Sequence, residues 1–352
     1  MPSSLVLRAG PKARATLQER GFDRDTFTTM VGASGGPKWL VLRHIDSVLV
    51  RRVLTDRSAP IHAVGSSIGT FRHVCLAQSD AEAAIERLER AYLAQQYTER
   101  PSPEQVSDGS RLVLQVALGE RGTAEALANP TLRLHVVCAR GRHLLASERR
   151  AVLAAGLGLA ATSNALSRRT LGCFFERAQF SNADDGPEFV GDLPTRRYRL
   201  DAANLEDAVL ASGSIPLVMR AVEDPHGAQP GRYRDGGIVD YHFSFRFRRP
   251  DGLVLYPHFF DRLRPGWFDK GLPWRRPRRQ DLDDVLLIAP SAAFIDSLPG
   301  GRVPDRRDFV ELSTDERRRR WRAVLDACRR PAEELEAHIE AGTLASAVLP
   351  FS

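Results

Sequence analysis

The chain has 352 residues, 43% of them hydrophobic and 27% charged, with 27 Gly and 22 Pro in no fixed period; this globular composition excludes a disordered, collagenous or coiled-coil architecture. The formal net charge of +6 sets 50 Lys and Arg against 44 Asp and Glu, with lysine only at Lys12, Lys38 and Lys270, so the excess reads as an arginine-rich background and nucleic acid is not an expected partner. Four dispersed cysteines, Cys75, Cys138, Cys173 and Cys328, form no CxxC pair, which excludes a disulfide scaffold or a zinc ribbon.

In chain order, residues 1–26 read as a lead-in. The apolar run Leu5-Val6-Leu7 is far shorter than the roughly 7–15 residues of a signal-peptide core, and no stretch reaches the roughly 18 apolar residues of a membrane span. A soluble, cytoplasmic protein is expected, with peripheral membrane contact left open. Phe27–Val31 is a strand candidate that runs into Gly32-Ala33-Ser34-Gly35-Gly36-Pro37-Lys38. Trp39–Val53 then carries apolar residues at helical spacing. Ile61–Val64 is strand-like and is followed by Gly65-Ser66-Ser67-Ile68-Gly69 and a further helical face. Helices are expected at Asp80–Gln96, Glu104–Leu118, Arg149–Leu166 and Leu205–Ala211, and strands at Leu132–Val137, Arg197–Leu200 and Leu253–Tyr256. From Pro257 to Pro304 the chain is rich in Pro and Arg, with one apolar strand at Val285–Ala289. A charged helix over Thr314–Ala341 closes the chain. Alternating strands and helices predict an α/β three-layer sandwich with a mainly parallel central sheet, in which functional loops lie at the carboxyl ends of the strands.

Three segments carry chemistry. Gly65-Ser66-Ser67-Ile68-Gly69 is G-x-S-x-G between a strand and a helix, the setting of a nucleophile turn; its glycines relieve crowding where the serine hydroxyl is lifted off the backbone. Gly32–Lys38 is neither a P-loop nor a dinucleotide fingerprint. Its Gly35-Gly36 pair, followed by a cation, suits an anion-binding turn or a tight strand-to-helix connection. Tyr233-Arg234-Asp235-Gly236-Gly237-Ile238-Val239-Asp240 sets the Asp235 carboxylate at a strand end on a turn that admits close approach, or is an ordinary Asp-Gly turn.

In order and context these segments resemble the patatin-like phospholipases, over about residues 27–245. The family's glycine loop, roughly D-G-G-G-x-[KR]-G, falls on Ala33–Trp39; its G-x-S-x-G on Gly65–Gly69; its D-G-[GA] on Asp235–Gly237. A feature like A-S-x-A-x-P falls on Ala211-Ser212-Gly213-Ser214-Ile215-Pro216. The resemblance implies a hydrolase domain over 27–250, with 251–352 as an extension and C-terminal helix packed on it. It implies a serine acyl hydrolase of lipid esters with no metal or diffusible cofactor. Ser67 is then the nucleophile, Asp235 the base, Gly35 and Gly36 the oxyanion donors and Lys38 a supporting, anion-steering cation, while Gly65, Gly69, Gly236 and Gly237 shape the turns. Ala33, Ser34 and Trp39 depart from the family's loop, and Tyr241 and Phe243 stand where Asn and Pro are common.

Alternatives stay open on the sequence. An ordinary α/β-hydrolase triad could recruit His242 or His258, or the fold could be a silent lipid- or anion-binding module. Trp39 and Tyr241-His242-Phe243 could shape a pocket or belong to the core. The apolar stretch Ala151–Ala161 could be a core helix or a lid. The segment Arg262–Phe268, continuing to Trp274–Arg279, could touch an anionic membrane or be a solvated loop. Arg317–Arg320 is expected to form a solvated helical face.

Overall fold

The computed structural model describes residues 2–189, 193–244, 247 and 251–351; residue 250, the expected end of the hydrolase segment, lies outside them. Among the described residues eleven strands join in one sheet. They are β1 (Leu5–Ala9), β2 (Phe27–Gly32), β3 (Ile61–Ser66), β4 (Leu132–Gly141), β5 (Phe175–Ser181), β6 (Thr195–Arg199), β7 (Val222–Glu223), β8 (Arg232–Asp235), β9 (Leu253–Pro257), β10 (Val285–Pro290) and β11 (Val348–Pro350). Their order is β11-β1-β10-β9-β2-β3-β4-β5-β6, with β8 paired to β4 and β7 to β8. The five neighbours from β10 to β4 run parallel, and helices flank the sheet. The expected α/β architecture with a mainly parallel central sheet therefore holds. Strands β3, β9 and β10 are buried at every residue, the pattern of parallel strands covered on both faces.

The sheet runs through all parts of the chain. Strand β1, with Leu5, Leu7 and Ala9 buried in alternation, pairs antiparallel with β10 and parallel with β11. Beyond residue 250 the chain returns to lay β9 and β10 in the interior of the sheet, with β9 between β10 and β2.

Local chemistry explains the helix boundaries. The Asp80 carboxylate caps Ala81–Ala94 by accepting from the Ala83 amide at 2.9 Å, and Ser102 with Gln105 closes a capping box on Pro103–Leu118. The segment expected as one helix over Trp39–Val53 winds in three ways: a 3-10 helix at Gly36–Leu42, an α-helix at Arg43–Leu49 and a π-turn at Val50–Leu54. The C-terminal helix also divides, into Thr314–Ala327 and Arg329–Glu340. Pro331 has no N–H to offer the Ala327 carbonyl and its ring would crowd it, so the helix restarts after Cys328.

The arginine run is only in part a solvated face, with Arg319 exposed. Arg317 is buried, with its guanidinium 4.3 Å from the Phe309 ring centre and 5.3 Å from that of Trp321. It donates to the Gln95 carbonyl, while Arg318 donates to the carbonyls of Leu93 and Ala94. These carbonyls end the helix Ala81–Ala94 and lack intrahelical partners, so cations there are favoured twice over. No described helix is long and apolar enough to cross a membrane.

Candidate active site

Strand register brings the three predicted loops together. β2 and β3 lie side by side with Gly32 opposite Gly65, so the glycine loop and the serine turn leave the same edge of the sheet. β4 serves as a ruler for the third loop: Val137 is opposite Ser66 on one side, and the next residue, Cys138, is opposite Asp235 on β8. Asp235 thus reaches the level of Ser67 from 168 residues away. Strand β4 runs past Val137, its expected end; the extra length is where β8 and part of β5 pair.

Ser67 sits at φ 53° and ψ −130°, a region that non-glycine residues rarely enter. The surroundings hold it there. Its amide donates to the Ser212 hydroxyl at 2.9 Å, and that hydroxyl donates to the Val137 carbonyl at 2.6 Å. The Ser67 carbonyl accepts from the Thr70 amide and hydroxyl. A Cβ at Gly69 would lie 2.1 Å from the Gly32 carbonyl oxygen, so this glycine sets how closely the helix Ile68–Leu76 approaches β2. A Cβ at Gly65 would press on Gly69, Thr70 and the His73 ring.

The Ser67 hydroxyl donates to Asp235 Oδ2 at 3.0 Å. The other carboxylate oxygen accepts from the Gly237 amide at 2.7 Å, which fixes the carboxylate plane. Ser67 and Asp235 are 4% and 5% exposed. Burial raises the Asp235 pKa above the ordinary carboxylate value; Arg306, the Gly237 amide, the Ser67 hydroxyl and Lys270 oppose the rise. A carboxylate raised this way is a better proton acceptor than an exposed aspartate. A serine hydroxyl donating to such a group can act as a nucleophile. A Cβ at Gly236 would strike the Val137 carbonyl, and one at Gly237 the Ser34 hydroxyl.

Ser34, one of the departures in the glycine loop, couples the loop to the serine turn. Its hydroxyl lies 2.7 Å from that of Ser66, which donates to the Asp240 carbonyl at 2.9 Å. Gly36 has φ 56°, and a Cβ at Gly35 would meet the Phe259 ring at 2.5 Å. Among the described residues neither glycine amide donates a backbone hydrogen bond. Lys38 is paired with Asp305 and lines a separate cavity of about 590 Å³.

Ser67 and Gly36 open onto a different cavity, of about 310 Å³, walled mainly by apolar side chains such as Phe71, Tyr92, Val113, Met219 and Phe309. No described histidine hydrogen-bonds to Ser67 or Asp235. His242 Nδ1 accepts from the Arg264 amide, and His258 Nδ1 is bonded within its own turn to Phe260. Burial holds both histidines well below the ordinary imidazole range, His258 at about 3. Trp39 and Phe243 belong to the core, whereas Tyr241 and His242 stack together and line the second cavity. The helix Arg150–Leu166 buries Leu153, Leu157 and Ala160 against the core and does not line the Ser67 cavity. Trp267 and Phe268 also pack on the core, while Trp274 is exposed. Among the described residues no cluster of three His, Cys, Asp or Glu could hold a metal ion.

Sequence reasoning did not single out Asp240. This fully buried carboxylate accepts from Arg177 at 2.5 and 2.7 Å, and Arg177 is equally buried. Arg168 also approaches it, at 3.3 Å. The pair anchors the loop between Asp235 and Tyr241. Asp240→Ala leaves a guanidinium buried without its main partner, and a loss of about 3–5 kcal/mol in unfolding free energy is expected. Urea denaturation of the variant beside its parent measures it; a loss below about 1 kcal/mol would count against this role.

No family model and no curated protein sequence matches the chain. Solved structures similar to it include human GIVD cytosolic phospholipase A2, at 12% identity and a TM-score of 0.39 over 99% of this chain and 66% of that one. The same human protein in complex with methyl γ-linolenyl fluorophosphonate gives 13% identity and a TM-score of 0.36 over 98% and 66%. VipD from Legionella pneumophila gives 12% and 0.31 over 73% and 53%. The chain spans just under two thirds of the length of the human structures and about half of VipD.

Proposed function

We propose that the protein is a serine acyl hydrolase that cleaves carboxylic esters of lipids through a Ser67–Asp235 dyad. The observation that carries this reading is the direct 3.0 Å hydrogen bond to a buried carboxylate from a serine that sits on a strained turn and lines an apolar cavity. Ser67 Oγ attacks the ester carbonyl while its proton passes to Asp235 Oδ2. The amides of Gly35 and Gly36 hold the carbonyl oxygen as it becomes negative. The tetrahedral intermediate collapses, the ester C–O bond breaks, and the alkoxide leaves with the proton from Asp235. Water then attacks the acyl-Ser67 ester, giving one proton to Asp235. The acid departs and Ser67 recovers that proton. The apolar walls suit an acyl chain.

The test is labelling of the full chain with a fluorophosphonate, peptide mapping of the adduct, and turnover of p-nitrophenyl octanoate. An adduct on Ser67 with hydrolysis above the buffer rate is the expected result. Absence of both adduct and turnover would overturn the reading and leave a silent binding module on this fold. An adduct on another residue would overturn the dyad.

A further inference from the structure

The cation expected beside the serine turn, Lys38, is engaged elsewhere: it pairs with Asp305 and faces the second cavity. The cation that lines the Ser67 cavity comes from a distant part of the chain. It is Arg306, whose side chain crosses Gly36 so closely that a Cβ there would lie 3.0 Å from its Nε.

Arg306 differs from the arginines around it. Arg302 pairs with Asp308, Arg307 approaches Asp305 at 3.6 Å, Arg318 donates to the Leu93 carbonyl at 3.2 Å and Arg320 to the Pro299 carbonyl at 3.0 Å. The Arg306 side chain makes no hydrogen bond or ion pair with any described residue. Its charge nevertheless reaches the dyad, where it is the first influence to oppose burial at Asp235, and it also acts on Lys38 and Lys270. The Arg306 side chain is half-buried on the cavity wall, and its donors are left open to a ligand with no protein partner to displace among the described residues. Its planar donor fork matches a carboxylate or phosphate.

We propose that Arg306 binds an anionic group of the substrate, so that the site takes acyl esters bearing a phosphate or carboxylate near the scissile bond, with the acyl chain along the apolar wall. The term substrate rests on the hydrolase reading above; the anion site itself is testable without it.

The first experiment measures binding and needs no turnover. Full-length Ser67→Ala protein is titrated by calorimetry with decyl phosphate, decanoate and decanol. At least one anion is expected to bind tenfold or more tightly than decanol, and the stronger of the two identifies the anion. Adding Arg306→Gln is expected to remove the preference, and Arg306→Lys to retain part of it. Equal affinity for all three probes, or a preference that survives Arg306→Gln, would overturn the proposal.

The second compares kcat/KM for octanoyl-glycerol phosphate and octanoyl-glycerol in protein with Ser67 intact. Arg306→Gln is expected to lower their ratio at least tenfold, mainly through KM. An equal fall in kcat on both esters would put Arg306 on the developing oxyanion and overturn its role in ground-state recognition. If neither ester is turned over while the titration shows the anion preference, the hydrolase reading fails and the anion site stands.

Discussion

Ser67→Ala is expected to abolish ester turnover and fluorophosphonate labelling together, with a fall in kcat on the order of 10³–10⁶. The reason is chemical. Alanine removes the atom that forms the covalent bond, and the nearest substitute, water, has no equivalent hold on Asp235. The fold should tolerate the change. Alanine is no more strained than serine at φ 53°, and the amide keeps its bond to Ser212. The loss is one hydrogen bond to a carboxylate, whose net worth is about 1.5–3 kcal/mol. Thermal unfolding and turnover measured on one preparation separate the two effects. Retention of a tenth or more of parental turnover by a folded variant would sink the assignment of Ser67.

The second large effect concerns Asp235→Asn. An amide has the size and hydrogen-bonding reach of the carboxylate, and its oxygen can still accept from Gly237, yet it cannot take a proton at neutral pH. Loss of a general base lowers the rate by about 10²–10⁴. Stability is expected to move the other way. Burial raises the Asp235 pKa above 3.8, so between that value and the raised one the native state holds more protons than the unfolded chain. Parental stability therefore falls as pH rises through this window; the penalty is complete above the native pKa and absent below 3.8. The substituted amide never ionises. The variant should unfold at a higher temperature than the parent at pH 8, and this advantage should shrink as pH falls towards 3.8. In the parent, kcat/KM should decline on the acid side at a higher pH than a free carboxylate would dictate. A variant that keeps parental kcat, or that unfolds below its parent at pH 8, contradicts the role given to this carboxylate.

The parts legible in sequence are those with local signals. Gly65–Gly69 and Gly35-Gly36 are short and sit where period-two and period-3.6 patterns meet, so their places at the sheet edge follow from alternation, whereas Asp235–Gly237 is legible only as an acid on a glycine turn. Other parts are hidden for physical reasons. Strand β8, Arg232–Asp235, reads as charged, yet Arg234 is fully buried because it pairs with Glu148. Strand β1 is five residues long and gains its meaning from β10 and β11, some 280 and 340 residues away. Arg306 carries no local signal at all, being one arginine in a chain full of them. Among the described residues its neighbours find partners and it finds none, which is a property of three-dimensional placement. Likewise Ser34, a departure from a motif when read along the chain, is a cross-brace to Ser66 when read across it.

The fastening of Arg317 and Arg318 to the end of the helix Ala81–Ala94 has a consequence for how the molecule can be cut and recombined. Tyr92 and Gln95 on one side, and Arg306, Phe309 and Val310 on the other, face one cavity, and those two arginines join the sides. The proposed reacting pair is contained in the first 235 residues, whereas part of the wall of the cavity beside it is delivered about seventy residues later. A fragment trimmed at the end of the motif region would lose not only that wall but also β9 and β10 from the interior of the sheet, and with them the strand that flanks β2. On the proposed reading, the stretch from Asp305 to Trp321, which lies outside the sheet, is the unit to exchange within the full chain when a different substrate is wanted.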